Sequence, residues 1–151
     1  MKEIDLFWNR FLEEAGYEKD TKCLEVFHFE LTEYLANELL KLVLEGKKKA
    51  TASSLISYEK EGSKIPTKGD LSIVTDWNGN PKCVIETKEI LIIPFKNITY
   101  DICKREGEDD CLETWREGHI RFFEKESKEV GYEFTEELLV VFEDFEVVYQ
   151  E

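Results

Sequence analysis

The chain has 151 residues, 42% of them hydrophobic and 13% aromatic, which is enough to bury the core of one domain and excludes a disordered chain. Its 34 acidic residues against 20 basic ones leave a formal charge of -14, which disfavours long duplex nucleic acid, since that binding needs many Lys and Arg contacts releasing counterions. No apolar run is long enough to span a bilayer, and Met1-Lys2-Glu3-Ile4-Asp5 lacks the apolar centre of a signal peptide, so a soluble cytoplasmic chain without a membrane partner is expected.

Ile4, Phe7, Trp8, Phe11, Leu12 and Ala15 recur at helical spacing and predict an amphipathic helix from about residue 4, stopped by Gly16. It belongs to an N-terminal segment, 1–20, expected to pack on the rest. The β-formers of 23–29 predict a strand. Thr32 then caps a helix with Leu35, Ala36, Leu39, Leu42 and Val43 on one face, ending at Gly46. Beyond it, Lys47-Lys48-Lys49 meets Thr51, Ser53 and Ser54, a basic run at the helix end where the dipole favours cations.

Ser54-Leu55-Ile56-Ser57-Tyr58 reads as a strand and 61–66 as a loop. Lys68-Gly69-Asp70 is a turn before Leu71-Ser72-Ile73-Val74. Asn78-Gly79 makes a hairpin into Cys83-Val84-Ile85-Glu86, and 90–95 continues extended, bent by Pro94. Thr99 caps a short helix through Arg105. After the acidic turn Glu106-Gly107-Glu108-Asp109-Asp110, Leu112, Trp115, His119, Phe122 and Phe123 mark a longer helix ending before Gly131. The last two runs, 138–142 and 145–149, are strand-like. Together they predict one α+β domain over 1–151, a small mixed, mainly antiparallel β-barrel flanked by about four helices.

Cys23, Cys83, Cys103 and Cys111 fit neither a zinc nor a redox spacing and are expected as free thiols. With His28 and His119 as the only imidazoles, no metal site or cofactor is expected.

Two chemistries are open at the lysine run. A desolvated Lys48 acts as a base on Thr51 as nucleophile, or the lysines are solvated charges at a favourable helix end. The acidic turn with Glu106 and Glu108 either orients a lysine, holds a cation or meets base and ribose edges, or is a solvated loop before a helix. His119 is a half-buried core residue or a proton shuttle. Trp77 and Trp115 are stacking candidates, Trp115 also a core candidate. Asp70 closes a turn or orients backbone near the pocket. Lys47, Lys49, Ser53 and Arg116 complete the candidate ligand-binding set.

Gly46-Lys47-Lys48-Lys49-Ala50-Thr51 fits G-x-K-x-x-T, followed in order by Gly69-Asp70, Cys83-Val84-Ile85-Glu86, Pro94-Phe95, Glu106-Gly107-Glu108 and Trp115-Arg116-x-x-His119-x-x-Phe122-Phe123. As a set these resemble the ASCH family, named for homology to an activating signal cointegrator, over nearly the whole chain. The resemblance implies a PUA-like barrel whose relatives bind RNA between barrel and helices. Some relatives are ribonucleases, and a shorter group hydrolyses acetylated cytidine with a Lys, Thr and Glu, here matching Lys48, Thr51 and Glu106. The chain departs from the pattern in the acidic turn ending at Asp110, where many relatives read Glu-Gly-Glu-Gly-Asp and this one reads Glu-Gly-Glu-Asp-Asp, and in its added N-terminal helix. The implied function is binding of RNA or a modified nucleoside with amide hydrolysis or RNA cleavage, Lys48 serving as base in the amide version; the alternative is a non-catalytic RNA-binding or regulatory module.

Overall fold

Phe7, Phe11 and Leu12 form the buried side of helix α1 (Glu3–Ala15) in the computed structural model, which describes residues 3–151. Met1 and Lys2, the start of the expected 1–20 segment, lie outside the described residues. That side packs on Leu71, Ile73 and Val84, so α1 covers one face of a sheet.

The sheet has five strands: β1 (Val26–Phe27), β2 (Ala50–Ser54), β3 (Leu71–Thr75), β4 (Pro81–Pro94) and β5 (Leu139–Gln150), in the order β1-β3-β4-β5-β2. β1 runs parallel to β3, and every other neighbouring pair is antiparallel. Residues of β3 are buried throughout, because its second face is covered as well. Val74, Cys83, Ile85 and Phe145 there meet Leu40 and Val43 of α2 (Glu33–Leu44) and Phe29. A third apolar cluster joins Phe95, Ile98 and Val140 to Cys103 of α4 (Tyr100–Cys103) and to Trp115 and Phe123 of α5 (Leu112–Val130).

The α+β class follows the sequence reading, with two differences. The edge strands β1 and β2 do not pair among the described residues, so the sheet is open rather than a closed barrel. The segment read as a strand at 54–58 is helix α3 (Leu55–Glu61), a fifth helix beyond the four expected. Ser54 ends β2 and caps α3, its Oγ accepting from the Ser57 amide, and Gly62 terminates it at φ +68°. The expected strand at 23–29 contracts to β1, although the Leu24 amide donates to the Leu71 carbonyl and the Glu25 carbonyl accepts from Ile73, extending the contact. All four cysteines are free thiols, with Cys83 and Cys103 buried. No helix among the described residues is long and apolar enough to cross a membrane.

Candidate functional site

The end of α2 decides which of the three lysines turns inward. Gly46 adopts φ +77°, and the amides of Lys47 and Lys48 both reach back to the Leu42 carbonyl at 2.9 and 3.1 Å. The chain therefore leaves the helix sharply. Lys47 points outward, 66% exposed and 3.8 Å from Glu45, and Lys49 is exposed, whereas Lys48 is 2% exposed.

Residues 104–108 lie directly against this turn. The Lys49 amide donates to the Arg105 carbonyl at 2.9 Å, and a Cβ on Gly107 would fall 2.0 Å from the Lys47 carbonyl oxygen. Glycine is thus the residue that lets the two segments touch, and the contact delivers Glu106 and Glu108 to Lys48. The Lys48 ammonium donates to the Ala50 carbonyl at 2.7 Å, to Glu106 Oε2 at 2.9 Å and to Glu108 Oε2 at 2.5 Å. All three of its hydrogens are engaged. Burial alone would lower its pKa, but Glu106 and Glu108 beside it outweigh burial and hold it above the ordinary lysine value. Lys48 is therefore a cation here, and the role of base expected for it does not fit this arrangement.

Glu106, 2% exposed, accepts from the Trp115 indole at 3.0 Å through Oε1, which also lies 3.3 Å from His119 Nε2. Burial would raise this carboxyl, yet Lys48 and His119 overcome it and hold Glu106 well below its ordinary value. His119 Nδ1 stands 2.9 Å from the Trp115 carbonyl. A carbonyl only accepts, so Nδ1 carries hydrogen, and the Glu106 carboxylate favours hydrogen on Nε2 too. Burial works against the imidazolium, but Glu106 more than compensates and raises the His119 pKa. Glu108 goes the other way: burial, with the Glu106 charge beside it, pushes it up to about 8 despite Lys48. At neutral pH the cluster thus holds a carboxylate and a carboxylic acid side by side.

Lys48, Glu106, Glu108 and His119 line a pocket of about 340 Å³. Thr51 and Ser53 of β2 line it too, together with Tyr58 and seven glutamates in all. One of the seven, Glu143 of β5, is 5% exposed and stands directly opposite Thr51 in the β2–β5 register. Its Oε2 accepts from the Thr87 hydroxyl at 2.7 Å. Burial pushes Glu143 up to about 7, with Glu25, Asp70 and Asp144 adding to the rise against the Thr87 hydrogen bond. Burial also raises Glu25 and Glu30.

Of the residues singled out from sequence, Lys48, Thr51, Ser53, Glu106, Glu108 and His119 meet at this pocket. The others stand apart from its lining. Trp115 is fully buried between Phe95 and His119, at ring distances of 5.6 and 4.0 Å. It cannot stack on a ligand base, and serves instead as the donor that holds Glu106. Trp77 is half-buried at the β3–β4 turn and reaches the pocket only through His28, whose ring lies 4.7 Å away. Asp70 accepts from the Thr67 amide at 2.8 Å and pairs with Lys64, closing its own turn. Arg116 pairs with Glu136 at 2.7 Å and lies over the Phe95 ring.

Glu143, Glu25, Glu30 and Tyr58 were missed from sequence. A signal existed for Glu143: Val141, Glu143 and Phe145 alternate along one strand, so a strand whose neighbours at that spacing are buried turns a carboxylate inward. Glu106, Glu108 and His119 also place three ligand-type atoms within 4.8 Å of one another. In this arrangement the Lys48 ammonium is the cation their carboxylates hold.

Comparison with known proteins agrees with this architecture. A family model of the ASCH domain matches residues 25–149. An ASCH domain from Lactobacillus crispatus is similar over 99% of this chain and 97% of its own, at 34% identity and a TM-score of 0.87. A protein from Enterococcus faecalis is similar over 97% of this chain and 88% of its own, at 31% identity and a TM-score of 0.87. A third solved structure, described as hypothetical, shares the fold alone at 22% identity, with a TM-score of 0.51 over 82% of this chain and 97% of its own. A comparison with curated proteins found no match.

Proposed function

Since the chain belongs to the ASCH domain family, we propose that it hydrolyses an amide on a small modified nucleoside of the acetylated-cytidine type. The observation that carries this reading is that Thr51 lines a 340 Å³ pocket beside a buried Lys48–Glu106–Glu108–His119 cluster. A pocket of this size falls in the range of small-ligand sites, about 300–1,000 Å³. Its lining sets seven glutamates against Lys48 and His119, an acidic balance that favours an unphosphorylated nucleoside over an RNA strand.

In this reaction Thr51 attacks the amide carbonyl. The leaving nitrogen needs a proton, and Glu108, held up to about 8 by burial, is a carboxylic acid placed to give it. Lys48 and His119 supply positive charge that keeps Glu106 ionised and fixed.

The test is incubation of the full chain with N4-acetylcytidine and with single-stranded RNA, followed by chromatography for cytidine and for cleaved RNA. Release of cytidine that Thr51→Ala lowers by at least about a thousandfold is expected. Intact N4-acetylcytidine after incubation with the wild-type chain would sink the reading. The saturation of all three Lys48 hydrogens favours a second reading, a binding module in which the cluster is a structural strut. That reading expects nucleoside binding without turnover.

A further inference from the structure

Thr51 as nucleophile requires a base, and the ammonium of Lys48 has no lone pair to offer. The strand register supplies another group. Thr51 and Glu143 are direct partners across the antiparallel β2–β5 pair, so their side chains leave the same face of the sheet with Cβ atoms about 5 Å apart. Both line the pocket. Glu143 is fixed through Oε2 by Thr87, and the β4 register shift between Thr87 and Glu89 occurs opposite β5, beside this contact. Its Oε1 has no hydrogen-bond partner among the described residues. No buried side-chain oxygen among them lacks a partner, so Oε1 is an atom reached from the pocket.

We propose that Glu143 is the base that takes the Thr51 hydroxyl proton. The inference rests on the amide-hydrolysis reading above and assigns the step that reading leaves open. As the Thr51 oxygen bonds to the acyl carbon, its proton passes to Glu143 Oε1. The C–N bond then breaks, and Glu108 gives its proton to the leaving nitrogen. In the second half, water adds to the acyl-Thr51 ester and loses a proton to the now ionised Glu108. The carbon–Oγ bond breaks as Glu143 returns its proton to Thr51, restoring both carboxyls to their starting states.

The groups that set the charge around Glu143 come from every neighbouring element. Glu25 precedes β1, Tyr58 and Glu61 belong to α3, Asp70 precedes β3, Thr87 donates from β4, and Asp144 adjoins it on β5, itself paired with Arg105 at 2.9 Å. Lys48 lines the same pocket. Apart from Lys48 and Arg105 these are acidic or neutral groups, and with burial they place the Glu143 pKa at about 7, close to the value at which a carboxylate serves best as a base near neutral pH.

The experiment is the pH profile of N4-acetylcytidine hydrolysis by the full-length wild-type chain and by Glu143→Gln, whose amide oxygen still accepts from Thr87. We expect wild-type kcat to rise as Glu143 ionises near pH 7, and Glu143→Gln to lose at least about a hundredfold in kcat and to lack that limb. KM should stay within about threefold. Should Glu143→Gln keep wild-type kcat or the same acid limb while Thr51→Ala is inactive, the inference falls and the hydrolase reading stands; an inactive wild-type chain overturns both. If Glu143→Gln fails to fold by circular dichroism, Thr87→Val decides. Loss of the Thr87 hydrogen bond should move the limb to higher pH, and an unmoved limb overturns the proposal.

Discussion

A lysine 2% exposed survives as a cation only because Glu106, Glu108 and a carbonyl replace its water. Removing the ammonium while leaving the ionised Glu106 in place strands buried negative charge. Lys48→Met should therefore cost about 3–5 kcal/mol of stability in urea unfolding. Adding Glu106→Gln should return part of that loss, since the second change removes the stranded charge; a double variant less stable than the sum of the two singles would contradict this account. Trp115→Phe separates packing from polarity at the same cluster. The aromatic stack against Phe95 and His119 is kept in kind, whereas the hydrogen bond to Glu106 is lost. The expected cost is about 1–3 kcal/mol, the range for leaving a buried acceptor short of a donor.

Between elements, the contact of the 104–108 segment with the end of α2 sets the cluster's geometry. Gly107 combines φ +69° with a Cβ position 2.0 Å from the Lys47 carbonyl oxygen, whereas Gly79 has φ +87° and open space around it. Gly79→Ala should cost about 1–2 kcal/mol, from the left-handed backbone alone. Gly107→Ala must also push two backbone segments apart, so its melting temperature should fall clearly below that of Gly79→Ala; equal losses would show that the close approach carries no energy. Helices α1, α2 and α5 were legible because their apolar residues repeat at a local spacing that needs no partner. Helix α3 was not, because Leu55-Ile56-Ser57-Tyr58 suits a strand or a helix equally, and the deciding signals were Ser54 and Gly62 at its two ends. The pairing of strand edges is a non-local property, and so the open sheet was invisible. The same distinction governs the site. Lys48, Thr51, Glu106, Glu108 and His119 stood out because they belong to turns, the start of a strand and a helix whose patterns are short-range. Glu143 meets Thr51 only through the register of two strands far apart in sequence.

At the scale of the whole molecule, the pocket's acidity and the formal charge of -14 act together. Two buried carboxyls are raised from 4.5, Glu143 to about 7 and Glu108 to about 8. A group raised on folding contributes stability in full below its unfolded value and loses it as pH climbs through the folded value. The window of loss for these two runs from about pH 4.5 to about pH 8. His119, also raised above its ordinary 6.5, adds loss above that value. Glu106 opposes them, because it is held low and its contribution disappears only on acidification below 4.5. Maximum stability is therefore expected near about pH 5, with a decline toward about pH 8.5. For Glu143 alone, the rise from 4.5 to about 7 corresponds to about 3 kcal/mol. Urea unfolding across this range should show the decline in the wild-type chain and a shallower one in Glu143→Gln. Added salt should raise stability at the alkaline end, where surface carboxylates repel one another across solvent. It should leave the difference between wild type and Glu143→Gln nearly unchanged, since that carboxyl is 5% exposed and poorly screened. Stability that rises between about pH 5 and about pH 8 would mean that the buried glutamates enter the folded state already ionised, and the proton-carrying pocket would then lose its physical basis.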